Sequence, residues 1–355
     1  MLKSKIYNIF CITLAWTFIS IFQYLIGYSI SLQFGYLPLS KELKAGMAGS
    51  LVTGVTAGLI GGTILVFFWE RWLRSKPYGW TLRNILITYT LAFVFISYIS
   101  TLYFASNHPN IEVGNSNILL VALKYSFQPN ILIPYTVWLL IVMLTLITML
   151  VNDKYGPGVF VKFLLGKYFN PKREERVFMF MDLRSSTAIA EKLGEEQYFH
   201  FLKEVYKVVT PGILKNKGEI YQYVGDEIVI SWPVKTGIEN GNCINCYFDV
   251  KSLLHKKEIY FLKKYEVQAE FKAGLHYGSV MAGEIGIVKR DIAYSGDVLN
   301  TTSRIQELCN SFKVDILLSD NLAKKIDFDR LKVQSRSMGE ISLRGKSNKV
   351  ELYSI

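Results

Sequence analysis

The sequence predicts two architectures in one chain: an all-α bundle of four transmembrane helices, then an α+β domain with helices on an antiparallel-dominated sheet. Three observations carry this. Long uncharged runs are confined to the part before Val151, and the dense Lys/Glu sequence lies after it. Four of those runs reach the ~20 residues that a helix needs to cross a bilayer core. From Val177 the pattern changes to short apolar runs of strand length alternating with helical periodicity. The hydrophobic content of 50% and mean hydropathy of +0.23 therefore average two unlike parts. The pattern divides the chain into a bundle over residues 1–151, a linker over 152–176 and a second domain over 177–355.

The four spans read as residues 6–32, 45–69, 84–104 and 131–151. The first is too long and aromatic for a cleavable signal, and no small-residue cleavage site follows it. Flanking charge sets the orientation. Lys3 and Lys5 precede the first span, Arg71, Arg74, Lys76 and Arg83 fill the second loop, and Lys154, Lys162 and Lys167 follow the fourth. The third loop, residues 105–130, carries one lysine and one glutamate. Both termini are therefore expected in the cytoplasm, with the bundle in the membrane. No Asp, Glu, Lys, Arg or His lies deep in a span, which excludes an ion pathway, and no histidine pair is placed to ligate haem. Gly54, Gly58 and Gly62 stand four apart in the second span. Small residues at that spacing let helices approach closely, either as a dimer seam or in packing within one bundle.

The net charge of +11 has two readings. In the soluble half the basic residues are interspersed with acids, without an Arg/Lys stripe or a base-stacking motif, which argues against nucleic acid. A membrane-apposed protein with a phosphate-bearing substrate fits better. Cys243 and Cys246 form a lone CxxC with no second Cys/His pair at metal spacing, so they read as free thiols.

The linker carries Gly156-Pro157-Gly158, an apolar stretch and Pro171, which reads as a hinge, a short interfacial helix and an exit. In the second domain, residues 177–181 form an unbroken apolar run ending at Asp182, the pattern of a strand covered on both faces. A helix then starts at Ser185-Ser186-Thr187 and runs to about residue 209. Residues 219–224 and 228–232 are two strands separated by Gly225-Asp226-Glu227, a tight hairpin. A helix over 244–264, strands near 270–277 and 279–283, a helix over 298–309 and a β-rich end from 314 complete the domain.

Asp182 at a strand end and Asp226 in a hairpin turn can hold two Mg²⁺ ions, which take oxygen ligands and substrate phosphates, although an aspartate in such a turn is, taken alone, usually a turn former. Asn300 and Arg304, four apart at the start of a helix, share one face, and an arginine beside a reacting phosphorus is the recurrent device of phosphoryl transfer.

The wording and order of these pieces resemble the class III adenylyl/guanylyl cyclase family, in its membrane-anchored bacterial form. Residues 177–187, ending Asp182-Leu183-Arg184-Ser185-Ser186-Thr187, are similar to that family's first metal strand, with Ser185-Ser186 in place of Gly-Phe. Tyr223-Val224-Gly225-Asp226-Glu227 resembles its second metal hairpin. Residues 296–304 resemble its Gly-Asp-x-Val-Asn-x-x-x-Arg helix, and Leu343-Arg344-Gly345-Lys346 its closing β-turn. The resemblance implies a ferredoxin-like, palm-type sheet and a head-to-tail homodimer with shared active sites. It also implies that Asp182, Asp226 and the Leu183 carbonyl bind two metals in one protomer. Asn300, Arg304 and Lys346 of the other would meet the ribose, the α-phosphate and the leaving phosphates. The loop holding Ser185, Ser186 and Thr187 would cradle phosphates with its amides. ATP would yield 3′,5′-cyclic AMP and pyrophosphate.

The base pocket departs from the family. Gln222 stands where adenylyl cyclases have lysine, and Ala293 where they have Asp or Thr. An amide still pairs with an adenine edge, so ATP is expected, with GTP or relaxed specificity as the alternative. A cyclase-like receptor partner without activity is disfavoured because both metal aspartates and Arg304 are present. A diguanylate cyclase is disfavoured because Val224 replaces the first glycine of its signature.

Overall fold

The computed structural model describes residues 2–34, 40–69, 72, 76–107, 120, 123–124, 131–155, 165–288, 290–344 and 349–355. Lys346, the loop at 108–119 and the Gly156-Pro157-Gly158 hinge lie outside them. The chain divides into two compact units, Met1–Val151 and Asn152–Ile355.

Among the described residues the long helices of the N-terminal part are α1 (Leu2–Gln33), α2 (Ser40–Ile64), α3 (Tyr78–Asn107) and α4 (Leu132–Tyr155). Each contains a segment long and apolar enough to cross a membrane. Threonine and serine hydroxyls bond back to carbonyls one turn earlier, as in Thr13 to Ile9 and Thr145 to Ile141. That disposes of polar groups where no water is available. Helices are also stitched to one another: Ser20 Oγ donates to the Ser50 carbonyl, and Trp69 Nε1 to Thr88 Oγ1. At its end α2 widens into a π-turn, Leu65–Trp69, and Lys5 Nζ donates to the Val66 carbonyl at 3.2 Å.

The glycine stripe of α2 is used inside the chain. A Cβ added at Gly54 would stand 2.5 Å from the Thr17 Cα, and one at Gly58 would stand 2.4 Å from the Thr13 Cα. Backbone meets backbone there, so the stripe is the seat of α1, and of the two readings of the spacing the intramolecular one is realised.

In the second unit the strands are β1 (Lys172–Leu183), β2 (Glu219–Val224), β3 (Glu227–Pro233), β4 (Phe271–Ile285), β5 (Asp291–Ser295), β6 (Ile316–Ser319), β7 (Arg336–Ile341) and β8 (Val350–Ser354). The longer helices are α5 (Ser186–Lys215), α6 (Asn242–His255), α7 (Glu258–Tyr265) and α8 (Asp297–Phe312). The sheet runs β2-β3-β1-β4-β6-β8-β7, with β5 added to β4. Its first four members, with α5 after β1 and α6–α7 after β3, make the ferredoxin-like order that the sequence predicts.

Strand β1 is covered on both faces, as its apolar run requires. Val177, Met179, Met181 and Leu183 join the core under α5, α6 and α7, whereas Phe178 and Phe180 pack with Val298 of α8. Four elements differ from expectation. Strand β1 begins at Lys172 because backbone pairing with β4 extends through its charged first residues. The helix expected over 244–264 is two helices broken at Lys256–Lys257. The two strands expected over 270–283 are one, which passes straight through Gly278, and β5 was not foreseen. The CxxC cysteines are buried free thiols in α6, and burial pushes the Cys243 thiol up to about 12.

Because Gly58 touches the α1 backbone, Gly58→Leu should destabilise the bundle by about 1–3 kcal/mol. Thermal unfolding of the full chain in detergent, followed by tryptophan fluorescence, measures this. A variant that melts like the parent but loses dimers would instead identify the stripe as an intermolecular seam.

Candidate active site

Strand alternation places Asp182 on the same face as Phe178 and Phe180, the face covered by α8. On β4 the same face carries Lys272, paired with Asp182 in register, and on β3 it carries Glu227, also paired with Asp182. Lys272 Nζ lies 2.9 Å from Asp182 Oδ2, and Gln306 Nε2 of α8 donates to that same oxygen at 3.3 Å. The contact with α8 depends on Gly274, where an added Cβ would stand 2.4 Å from the Gln306 nitrogen. Leu183 turns its side chain into the opposite core, leaving only backbone to contribute.

Asp226 reaches the same place from the hairpin. Gly225 takes φ 60°, which a two-residue hairpin needs and glycine adopts without cost. The turn is held from α5: Tyr206 Oη donates to the Gly225 carbonyl at 2.7 Å, and its ring lies 4.7 Å from that of Tyr223. Asp226 is close enough for its charge, and a side-chain hydrogen bond, to act on Asp182. Burial foremost, opposed by Lys272 and reinforced by Asp226, raises the Asp182 pKa. Glu227 is pushed up to about 7, by burial first and then by the charges of Asp182, Asp226 and Glu307. Burial and the Asp226 charge likewise raise Tyr198 and Tyr206.

These two converging carboxylates, supplying only hard oxygen donors and opposed by a single buried lysine, fit a divalent cation by donor chemistry and excess negative charge. Among the described residues no group of three or more His, Cys, Asp or Glu forms a metal cluster, so protein ligands would come from this pair and backbone.

The β1–α5 loop is partly committed. The Arg184 amide donates to the Glu270 carbonyl at 2.8 Å, and its guanidinium bonds the Val314 carbonyl and Asp315. Ser185 adopts the left-handed region, φ 54°, at the start of α5 and makes no side-chain cap. Ser186 interacts with Tyr198, and Thr187 is exposed.

Asn300 is exposed and Arg304 half-buried on α8. Neither shares a hydrogen bond or ion pair with Asp182 or Asp226 among the described residues. Arg304 and Gln306 are two residues apart, about 200° around a helix of 3.6 residues per turn. With Gln306 facing Asp182, Arg304 points to the other side of α8. Gln222 is exposed on β2, after a bulge, and Ala293 is half-buried on β5. Tyr221 and Tyr294 beside them meet, with rings 5.0 Å apart. Lys272, Gln306 and Tyr206 carry no local mark in the sequence, and Glu227 only that of the hairpin turn: register brings Lys272 and Glu227 to Asp182, the Gly274 contact brings Gln306, and Tyr206 reaches the hairpin from α5.

Residues 170–355 match the family described as Adenylate and Guanylate cyclase catalytic domain. The chain is 33% identical over 205 residues to "Adenylate cyclase 2" of Rhizobium meliloti (strain 1021), covering 58% of this chain and 56% of that protein. It is 27% identical over 186 residues to "Receptor-type guanylate cyclase gcy-13" of Caenorhabditis elegans, covering 51% of this chain and 18% of that one. The chain thus spans about half, or less, of the length of these curated relatives. Among solved structures, that of a bacterial light-regulated adenylyl cyclase superposes with a TM-score of 0.52 at 19% identity, over 66% of this chain and 67% of that one. This likeness shows the fold.

Two outcomes follow from this geometry. Ser185→Gly should stabilise the chain by about 1 kcal/mol in a denaturant titration, since it removes a side chain from the left-handed region. In EDTA-treated protein, Glu227 carries a folded pKa of about 7 against an ordinary 4.5, so the folded state alone keeps its proton between those values. Stability should therefore fall as pH rises through that window, and Glu227→Gln should flatten the fall in melting temperature measured across it.

Proposed function

The chain belongs to the adenylate and guanylate cyclase catalytic-domain family, and from that premise we propose that it is a membrane-anchored homodimeric adenylyl cyclase with two shared active sites. The observation that carries the dimer is the orientation of α8. Its Gln306 side is bonded to the chain's own Asp182, so Arg304 on the far side is free to serve a second chain. One protomer would contribute Asp182, Asp226 and the Leu183 carbonyl, and the other Asn300, Arg304 and Lys346.

The two carboxylates and the Leu183 carbonyl would hold two Mg²⁺ or Mn²⁺ ions, which supply charge neutralisation for the triphosphate and activation of the attacking hydroxyl. The remaining work belongs to side chains. Asn300 orients the ribose so that its 3′-oxygen lies in line with the α-phosphorus. That oxygen forms the new P–O bond, the bond to the β-phosphate breaks, pyrophosphate leaves and the hydroxyl proton is released. Arg304 stabilises charge on the α-phosphate as it develops, and Lys346 meets the leaving phosphates. Amides of the Ser185, Ser186 and Thr187 loop, at the start of α5, bond phosphate oxygens.

Gln222 reads the base edge by its amide, and the adenylate cyclase relative at 33% identity supports ATP as substrate. Ala293 offers no side-chain hydrogen bond, so a wrong base leaves fewer groups unpaired and GTP is rejected less well. The four apolar helices anchor the chain, with the catalytic domain and both termini in the cytoplasm.

The test uses full chain in detergent with Mn²⁺ and each of ATP, GTP, CTP and UTP, with the cyclic product identified by mass spectrometry. Cyclic AMP should dominate, with some cyclic GMP. Asp182→Ala and Arg304→Ala should each lower turnover by about a hundredfold or more. Mixing the two variants should restore activity, because one site of a mixed dimer keeps both residues. Failure of complementation between folded, dimeric variants would refute the shared site, and no cyclic product from any nucleotide would refute the activity.

A further inference from the structure

The two oxygens of Asp182 are not equivalent. Oδ2 receives both the Lys272 ammonium at 2.9 Å and the Gln306 amide at 3.3 Å. The neighbouring acid, Asp226, is close enough to act on Asp182 as well. Lys272 has little freedom to leave of its own accord. It is 8% exposed, it stands directly across from Asp182 in the β1–β4 register, and it lies two residues before Gly274, where α8 packs closely on β4. Its charge acts on the carboxyl groups of both Asp182 and Glu227, and Asp226 lies close to Asp182 as well. A buried ammonium among acids does what a bound cation does: it offsets their repulsion.

We propose that Lys272 is a built-in cation at Asp182 Oδ2, and that one of the two divalent ions must displace it. This inference rests on the two-metal reading above and adds the regulation of that site. The first ion has Oδ1 and Asp226 available while Lys272 stays in place. The second needs the oxygen that Lys272 and Gln306 hold, so it binds at the expense of a buried ion pair. The two metal affinities of one protomer are therefore unequal, and Lys272 sets the weaker one. The fold thus contains a threshold for the cation concentration at which the site is complete.

The experiment is a Mn²⁺ titration of the full chain in detergent without nucleotide, with free Mn²⁺ read by electron paramagnetic resonance. The parent protein should show a tighter and a weaker class of site, both lost in Asp182→Asn. In Lys272→Met the weaker class should tighten by about tenfold and the tighter class by less than about threefold, because the displaced pair involves only one oxygen. Lys272→Gln, the more polar replacement, should behave like Lys272→Met, and Lys272→Arg should keep the weaker class weak. Melting temperatures of all variants confirm that the folded protein is being titrated. Equal tightening of both classes, or none, would overturn the role of Lys272 while leaving the metal site standing. Absence of any Asp182-dependent Mn²⁺ binding in the parent would overturn the two-metal reading, and this inference with it.

Discussion

The catalytic half is organised by a strand that must bury both of its faces. Strand β1 lies in the middle of the sheet, with α5, α6 and α7 beneath one side and α8 on the other. Alternation then forces Asp182 to continue the Phe178–Phe180 face into the space beside α8. A carboxylate there is partly stripped of water, and the fold answers with a lysine from the neighbouring strand and an amide from the covering helix. Residual negative charge is left because Asp226 comes to the same place. The chemistry of the site follows from where a buried strand happens to end.

What the sequence reveals of this is uneven, for physical reasons. Asp182 and Asp226 are legible because each sits in a local pattern, an apolar run and a Gly-Asp hairpin. Helix spacing puts Asn300 and Arg304 on one face, and the roles proposed for them come from family resemblance. Lys272 and Gln306 are not legible, since nothing local marks a lysine at the second position of a strand or a glutamine in a helix. Their role arises from the β1–β4 register and from the absence of a side chain at Gly274. Strand boundaries err where backbone pairing, rather than burial, defines the strand. The charged start of β1 pairs with β4 through Lys172 and Arg173, and no apolar pattern announces it. The five-residue β5 is similarly silent. The roles assigned to Gln222, Ala293 and Lys346 come from family resemblance, and the fold adds to them only that Tyr221 and Tyr294 bring the neighbourhoods of Gln222 and Ala293 together.

The membrane half shows a different limit. A small-residue repeat states that something approaches closely but not what. The contacts of Gly54 and Gly58 with Thr17 and Thr13 identify α1 as the occupant. Once that surface is filled within the chain, it is unavailable as a pairing seam. The dimer proposed above would then rest on other surfaces, and the second unit offers a reason for one.

That reason is the two-sidedness of α8. Lateral position around a helix is fixed by sequence spacing, so Gln306 and Arg304 cannot face the same carboxylate. Once Gly274 lets α8 settle with Gln306 on Asp182, Arg304 is committed to the opposite side, and Asn300, one turn earlier, goes with it. A single copy therefore holds the Asp182–Asp226 pair and Arg304 on different sides of α8. In the head-to-tail dimer proposed above, each Arg304 would stand before the other copy's carboxylates. The same helix would then touch both sites, one through Gln306 and the other through Arg304. A shift of α8 that optimises one contact would be felt at the other, so the two sites of such a dimer would be mechanically joined by the element that leaves each of them incomplete alone.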